Sequence, residues 1–193
     1  MPPKVKITKE EIVKTALGLV REKGDGAINA RAIASALGCS TQPIFSNFAT
    51  MDELRDAVIG AVYERYLGFI ENEVRSEKYP KYKSFGMAYI RFAAEERELF
   101  KLLFMRDRGG ESERNAPDFE SSVEMIMNAN GVSKERAELM HLEMWACVHG
   151  IATMLVTSYL TLEWELISNM LTDVYQGIRS RHLSEEIKNE QSN

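Results

Sequence analysis

The 193-residue sequence has little of what staples, breaks or threads a chain. It has two cysteines, Cys39 and Cys147, far apart and on different expected helices. No disulfide framework is therefore expected, and a reducing cytoplasm fits. Five prolines and twelve glycines are too few for a fibrous or disordered chain. There is no internal repeat and no low-complexity linker. No apolar run is read as approaching the length of a membrane span, and MPPKVKITKE lacks the apolar segment of a secretory signal, so no membrane partner is expected. No stretch alternates strongly with period two, so no sheet is expected.

Catalytic and metal-binding signatures are missing too. Three histidines occur without an HExxH, CxxC or His/Cys cluster. His141 and His149 lie two turns apart on one expected helix, too far to share a metal without a bend. Neither a GxSxG elbow nor a P-loop is present. Gly24-Asp25-Gly26 follows a helix and lacks a third glycine, so it reads as a turn. Glu95, Glu96 and Glu98 read as a solvated turn between helices. No enzyme, metal site or cofactor is expected.

What is present is helix. Apolar residues make up 45% of the chain, ample for a core. Thr8 and Glu11 form a capping box, and Ile12, Val13, Ala16, Leu17 and Val20 make one buried stripe, so Thr8 to Lys23 is predicted helical. Asn29 caps a short helix with Ala32, Ile33, Ala36 and Leu37 on its apolar face, and Gly38 ends it. Ser40 is placed to cap a second short helix with Pro43 in its first turn and Ile44, Phe45 and Phe48 on its apolar side. Thr50 and Glu53 form another capping box, opening a long helix from Met51 to about Arg75. Small residues, a glycine turn and a short polar helix describe a helix-turn-helix. Its leading residues Ser40, Thr41 and Gln42, with Ser46 and Asn47 a turn later, are hydrogen-bonding groups. Gln42 could meet an adenine edge with both amide atoms.

These residues carry a resemblance. Ala32-Ile33-Ala34, Leu37-Gly38-Cys39-Ser40, Ile44-Phe45-Ser46-Asn47-Phe48 and Asp52-Glu53-Leu54, at these spacings, resemble the DNA-binding domain of the tetracycline-repressor (TetR) family. Trp145-Ala146-Cys147-Val148-His149-Gly150 resembles a Trp–His–Gly pattern in one branch of it. The resemblance implies DNA contacts by Ala30, Arg31, Ser40, Thr41, Gln42, Pro43, Phe45, Ser46, Asn47 and Met51, with Lys4 and Lys6 on a basic arm. Two positions depart from the family's pattern. Phe45 stands where a phosphate-bonding tyrosine is common, and Met51 where a phosphate-binding lysine is common. Both changes remove a backbone contact, which sets affinity and register more than sequence choice. The amides at the start of the Met51 helix remain able to meet a phosphate.

The charge is −5 overall but divided: residues 1–50 carry a net +3 and the remainder −8. That suits a protein touching phosphate at one end. Helices are expected from Phe85 to about Glu96, Arg97 to Met105, Pro117 to Asn130, Ser133 to about Tyr159, and onward from a cap at Thr161. Lys78 to Lys83 reads as a turn and Arg106 to Ala116 as a long loop. The expected fold is all-α, about nine helices: a DNA-binding domain over 1–50, a ligand-binding and dimerisation domain over 51–183, and a polar tail over 184–193.

Ten methionines and seventeen aromatics can mostly be core. Read functionally, they offer an adaptable apolar pocket for a small hydrophobic effector, through Tyr66, Phe69, Phe85, Tyr89, Phe92, Phe104, Met125, Met144, Trp145 and His149. His149 reads first as a hydrogen-bonded core or pocket residue. Leu155, Tyr159, Leu166, Met170, Val174 and Ile178 are expected at a homodimer interface. The expected function is a ligand-responsive regulator, most simply a repressor, binding palindromic double-stranded DNA as a dimer. Rival readings are a small-molecule sequestering protein with a weakened helix-turn-helix, and a helical enzyme using the apolar pocket.

Overall fold

The structure is a computed structural model and describes residues 7–109 and 118–190, the side chains of 185–190 excepted. Among the described residues there are nine α-helices, one 3-10 turn at Asp25–Ala27 and no strand. The chain divides into two compact units. The first is Met1–Gly68 with Glu95–Arg106; the second is Phe69–Ala94 with Asp107–Asn193. The first unit thus takes in more than residues 1–50.

The first unit holds α1 (Lys9–Lys23), α2 (Ala30–Ala36), α3 (Gln42–Asn47), most of α4 (Met51–Arg75), and α6 (Arg97–Phe104). Each start has a local cause. The Thr8–Glu11 box closes in both directions, with the Glu11 amide donating to Thr8 Oγ1 at 3.2 Å and the Thr8 amide to Glu11 Oε2 at 2.9 Å. Asn29 Oδ1 accepts from the Ala32 amide at 2.9 Å. Gly38 turns the chain at φ +65°, a conformation that costs a glycine nothing. The start of α3 differs from expectation. Its N-cap is Thr41, in a helical conformation without a side-chain cap, so Ser40 does not fill that role. Ile12, Ile33, Ile44, Leu54, Val58 and Val62 are fully buried in this unit. Each such side chain contributes about 1.5–3 kcal/mol relative to exposure.

α6 packs on α1, and a buried carboxylate marks its start. Glu96, 9% exposed, accepts a two-pronged bond from Arg21, with Nε at 2.8 Å and Nη2 at 2.7 Å, and a further bond from Arg65 Nε at 2.6 Å. The expectation of a solvated turn is therefore wrong for Glu96: two arginines pair with it in place of water.

The second unit holds the end of α4, α5 (Lys81–Glu95) up to Ala94, α7 (Phe119–Asn130), α8 (Lys134–Val156) and α9 (Trp164–Glu190). α5 begins before the expected Phe85, directly after Pro80, whose carbonyl accepts from the Ser84 amide at 3.0 Å. The Pro80 turn is thus the helix's own start. α8 stops short of Tyr159, where Ser158 takes φ +57°. α9 starts at Trp164 and not beside Thr161, and it continues to Glu190 through the segment read as a polar tail. Residues of good helix propensity, such as Leu183, Glu185, Glu186 and Lys188, explain the continuation. The expected loop from Arg106 begins just past α6; its residues 110–116, and Pro117, lie outside the described residues.

α7, α8 and α9 share a core built on Phe119, Val123, Ile126, Ala137 and Met140, with Tyr82, Tyr175 and Ile178 packed against it. Gly86 brings α5 close to the helices it crosses: a Cβ there would lie 3.2 Å from Val148 Cγ2 and 3.5 Å from Leu171 Cδ1. Arg91 bonds Glu73 at 3.1 Å and lies over the Trp164 ring, 4.4 Å from its centroid, fastening the start of α9. The expectation about apolar runs needs one correction. By length and composition α8 could cross a membrane, but Ala137, Met140, Met144, Val148, Ile151, Ala152, Leu155 and Val156 are buried within this fold.

Candidate nucleic-acid interface and effector region

α3 is short because its sequence allows little more: Gly38 ends the preceding helix and Phe48 leaves α3 in an extended conformation. Ile44 anchors it, fully buried. On the other side Ser40, Gln42, Phe45 and Ser46 are exposed, and Thr41, Pro43 and Asn47 half-buried. Phe45 is 52% exposed, so the aromatic group lacking a hydroxyl faces outward. Arg31 is exposed and Ala30 half-buried in the first turn of α2, and Met51 is half-buried at the start of α4. Lys4 and Lys6 lie outside the described residues.

The hydrogen bonds sort these candidates. Gln42 Oε1 and Nε2 are in no hydrogen bond among the described residues, so both amide atoms can meet a base edge. Ser46 Oγ donates to the Gln42 carbonyl at 2.9 Å, which leaves its lone pairs as acceptors. Asn47 is committed further: Nδ2 donates to the Pro43 carbonyl at 2.8 Å and to the Ile7 carbonyl at 3.2 Å.

At the start of α4 the amides are partly occupied. The Glu53 amide donates to Thr50 Oγ1 at 3.0 Å, as the capping box requires. The Glu53 carboxylate, however, accepts from the Ala49 amide at 2.6 Å, and from Lys9 Nζ at 3.0 Å. The Ala49 amide bond, then the Lys9 bond, hold the Glu53 carboxyl below the usual carboxylate range. Two amides that could have met a phosphate are thus satisfied within the protein, and a carboxylate stands beside them.

In the second unit the structure joins three of the expected pocket residues. Trp145 stacks on His149, centroids 5.0 Å apart and planes 8° from parallel. His149 Nδ1 is 2.8 Å from the Tyr89 hydroxyl. Burial, and then the Arg108 charge, hold the His149 pKa below that of free imidazole. Burial raises the Tyr89 phenol. Both groups are therefore neutral near pH 7, and the pair is a hydrogen bond without net charge. Phe69 and Phe92 meet edge to face at 5.3 Å, with Phe92 fully buried. Met144 is buried; Phe85 and Met125 are half-buried. Tyr66 and Phe104 belong to the first unit, where they pair edge to face at 5.3 Å.

Among the expected dimer residues, Tyr159 is 76% and Leu166 49% exposed, and Met170 and Val174 are half-buried on α9. Leu155 is 8% exposed and Ile178 packs on the α7–α8–α9 core, so both also serve the fold. Leu139 and Leu142, which sequence reasoning did not single out, are also exposed on α8, 44% and 46%. The available signal was the width of the apolar surface of α8, broader than one buried stripe.

Residues 82–173 match the family described as "Tetracyclin repressor-like, C-terminal domain". No curated protein matches the sequence. A TetR-like transcriptional regulator from Rhodococcus sp. RHA1 shares the fold at 14% identity and TM-score 0.57, over 95% of this chain and 98% of that one. Apo ActR from Streptomyces coelicolor does so at 14% identity and TM-score 0.53, over 95% of this chain and 100% of that one. The chain thus shares this fold with both structures, and over residues 82–173, just under half of its length, it is similar to this C-terminal domain family.

Proposed function

We propose that the protein is a DNA-binding transcriptional regulator, a repressor that binds a palindromic operator as a homodimer and leaves it when a small hydrophobic effector binds. The observation carrying this reading is the exposed polar face of α3 behind the Gly38 turn, on a chain with a tetracyclin repressor-like C-terminal domain. α3 enters the major groove with Gln42 leading, able to bond an adenine at N6 and N7 together. Ser40, Thr41 and Ser46 bond base edges or phosphate, and Arg31 neutralises phosphate from α2. Residues 1–50 do this work, and 51–183 bind effector and partner copy.

A dimer has a physical reason. One six-residue helix makes few contacts, whereas two heads about 34–36 Å apart add theirs on a two-fold symmetric site. The effector site uses the apolar groups around Trp145, His149 and Tyr89. An uncharged hydrogen-bonding pair among aromatics suits an apolar ligand with few polar groups. Such a ligand releases DNA only by the difference between its affinities for the bound and released states. No catalytic step is proposed, and the site of action is the cytoplasm.

Selection of tight binders from a random DNA library tests this reading. The expected outcome is a palindrome with half-site centres about 10–10.5 base pairs apart, or a multiple of that. Library sequences without a shared motif would overturn it. A second reading, a sequestering protein with a weakened reading head, is favoured by the missing hydroxyl at Phe45 and the occupied amides beside α4. Its signature is tight ligand binding with no sequence-preferring DNA binding.

A further inference from the structure

We infer that Phe45 is a specificity-determining residue that reads a base, through the C5-methyl group of one thymine in each half-site, and does not act on the DNA backbone. This rests on the regulator reading above and deepens it by naming a base and its reader. Phe45 is 52% exposed in the middle of α3, between fully buried Ile44 and exposed Ser46. Phe48, three residues on, is 2% exposed, so one ring of this segment joins the core and the other is left in water. Among the described residues the Phe45 ring meets no other ring and no cation. Met105 is the other exposed large apolar side chain described in the first unit, and it lies just past α6, away from α3 in sequence.

The chemistry of the ring decides what it can meet. A phosphate needs a donor, and Phe45 has none to give: its side chain is hydrocarbon, and its amide already donates to the Thr41 carbonyl at 3.3 Å. Among the base edges of the major groove, one group is apolar, the methyl on C5 of thymine. Ring and methyl both leave water when they touch, which is what favours the contact. The neighbouring side chains fix where that thymine lies. Gln42 and Phe45 are three residues apart on one helix, so they share a face with Cβ atoms about 5–6 Å apart. Stacked bases repeat about every 3.4 Å along a strand. The methyl group therefore lies within about two base pairs of the adenine that Gln42 meets. Thr41 also carries a methyl group, but it is half-buried, whereas Phe45 presents most of a ring. The exposed face of α3 thus joins a two-pronged amide to an apolar plate, and together they describe adjacent adenine and thymine positions.

Removing the methyl group alone tests this. In the selected palindrome each thymine is replaced in turn, in both half-sites, by deoxyuridine, which keeps the pairing and the O4 acceptor. Binding of the full chain is read by fluorescence anisotropy. One position, within two base pairs of the one at which Gln42→Ala relaxes preference, should respond. A buried methyl group is worth about four-fold, so loss of both should weaken binding about 10- to 20-fold. The other thymines should each matter less than about two-fold. Phe45→Ala should weaken binding to the thymine operator by a similar factor, at an unchanged unfolding temperature, and bind thymine and deoxyuridine operators within about two-fold of each other. Phe45→Tyr keeps the ring and should keep the discrimination. Three outcomes would each overturn the inference: no thymine that responds, a response that survives in Phe45→Ala, or a Phe45→Ala loss equal on thymine and deoxyuridine operators, which would place the ring against the sugar. Absence of sequence-preferring binding by the wild type would instead bring down the regulator reading itself.

Discussion

The two compact units turn opposite kinds of surface outward. In the first, the exposed side chains of the short helix α3 are mainly hydroxyl and amide groups, and the buried ionic contact at Glu96 ties α1, α4 and the start of α6 together. In the second, apolar packing and neutral aromatic–histidine pairs hold the helices beside the Arg91–Glu73 ion pair, and Leu139, Leu142, Tyr159, Leu160 and Leu166 remain in water. A polar face on a short helix suits a ligand rich in hydrogen-bonding edges and phosphate. An apolar face on long helices suits a second apolar face, which in the proposed dimer a second copy of the chain supplies. On the proposed reading a net charge of −5 does not oppose DNA binding, because the attractive charge need only be local, and residues 1–50 carry a net +3.

The contrast can be broken most forcefully on the apolar side. Leu142→Glu together with Leu166→Glu places charge where the partner's apolar face is expected. Unpaired buried charges cost several kcal/mol each, so the dimer should be lost at micromolar concentration. Sedimentation velocity checks this; a variant and wild type sedimenting alike would mean the face lies elsewhere. Next in size is Glu96→Ala, which leaves Arg21 and Arg65 without their shared carboxylate. Removing one side of a buried pair costs about 3–5 kcal/mol, and both arginines being more than 40% exposed reduces that to about 2–3 kcal/mol. Urea unfolding should show the loss, with operator affinity falling only through the unfolded fraction.

On the polar side, Gln42→Ala should cost about 1–3 kcal/mol in operator affinity and relax preference at one base pair of each half-site. Affinity and preference both unchanged would show that α3 is not the reading helix. A smaller effect concerns pH. Burial holds His141 and His149 below the free-imidazole value of 6.5. Below that value the unfolded chain binds protons that the folded chain resists. Stability should thus be level above pH 6.5 from these groups and fall as pH drops through the folded pKa values. His141→Gln/His149→Gln should flatten that fall in thermal unfolding curves. Smallest is Phe45→Tyr, which restores a hydroxyl on an exposed ring and should raise affinity by about 0.5–1.5 kcal/mol without altering preference.

Local signals made the first unit readable from sequence. Thr8, Asn29, Gly38 and Thr50 each act on a neighbour within a few residues, and α1, α2 and α4 begin where those signals place them. The contacts that escaped notice are those between distant positions. Glu96 read as solvated because nothing nearby in sequence shows that Arg21 and Arg65 converge on it. The bond from Asn47 to the Ile7 carbonyl is hidden in the same way, since the two positions are 40 residues apart. In the second unit, helix existence was legible and helix limits were not: Pro80 reads equally as a turn or as the start of α5. Which of the many aromatics meet was also hidden, since Tyr89 and His149 are 60 residues apart. Leu139 and Leu142 sit in the same three-and-four repeat as buried Val148 and Leu155, and periodicity alone does not say which face of an apolar helix another element covers.

The most direct test compares a selected palindrome with a single half-site, by fluorescence anisotropy at one fixed salt concentration with scrambled competitor. Two polar heads joined through an apolar dimer face should bind the palindrome at least 100-fold more tightly, and Leu142→Glu/Leu166→Glu should remove that advantage while leaving half-site binding intact. Equal affinity for palindrome, half-site and scrambled DNA would contradict the account.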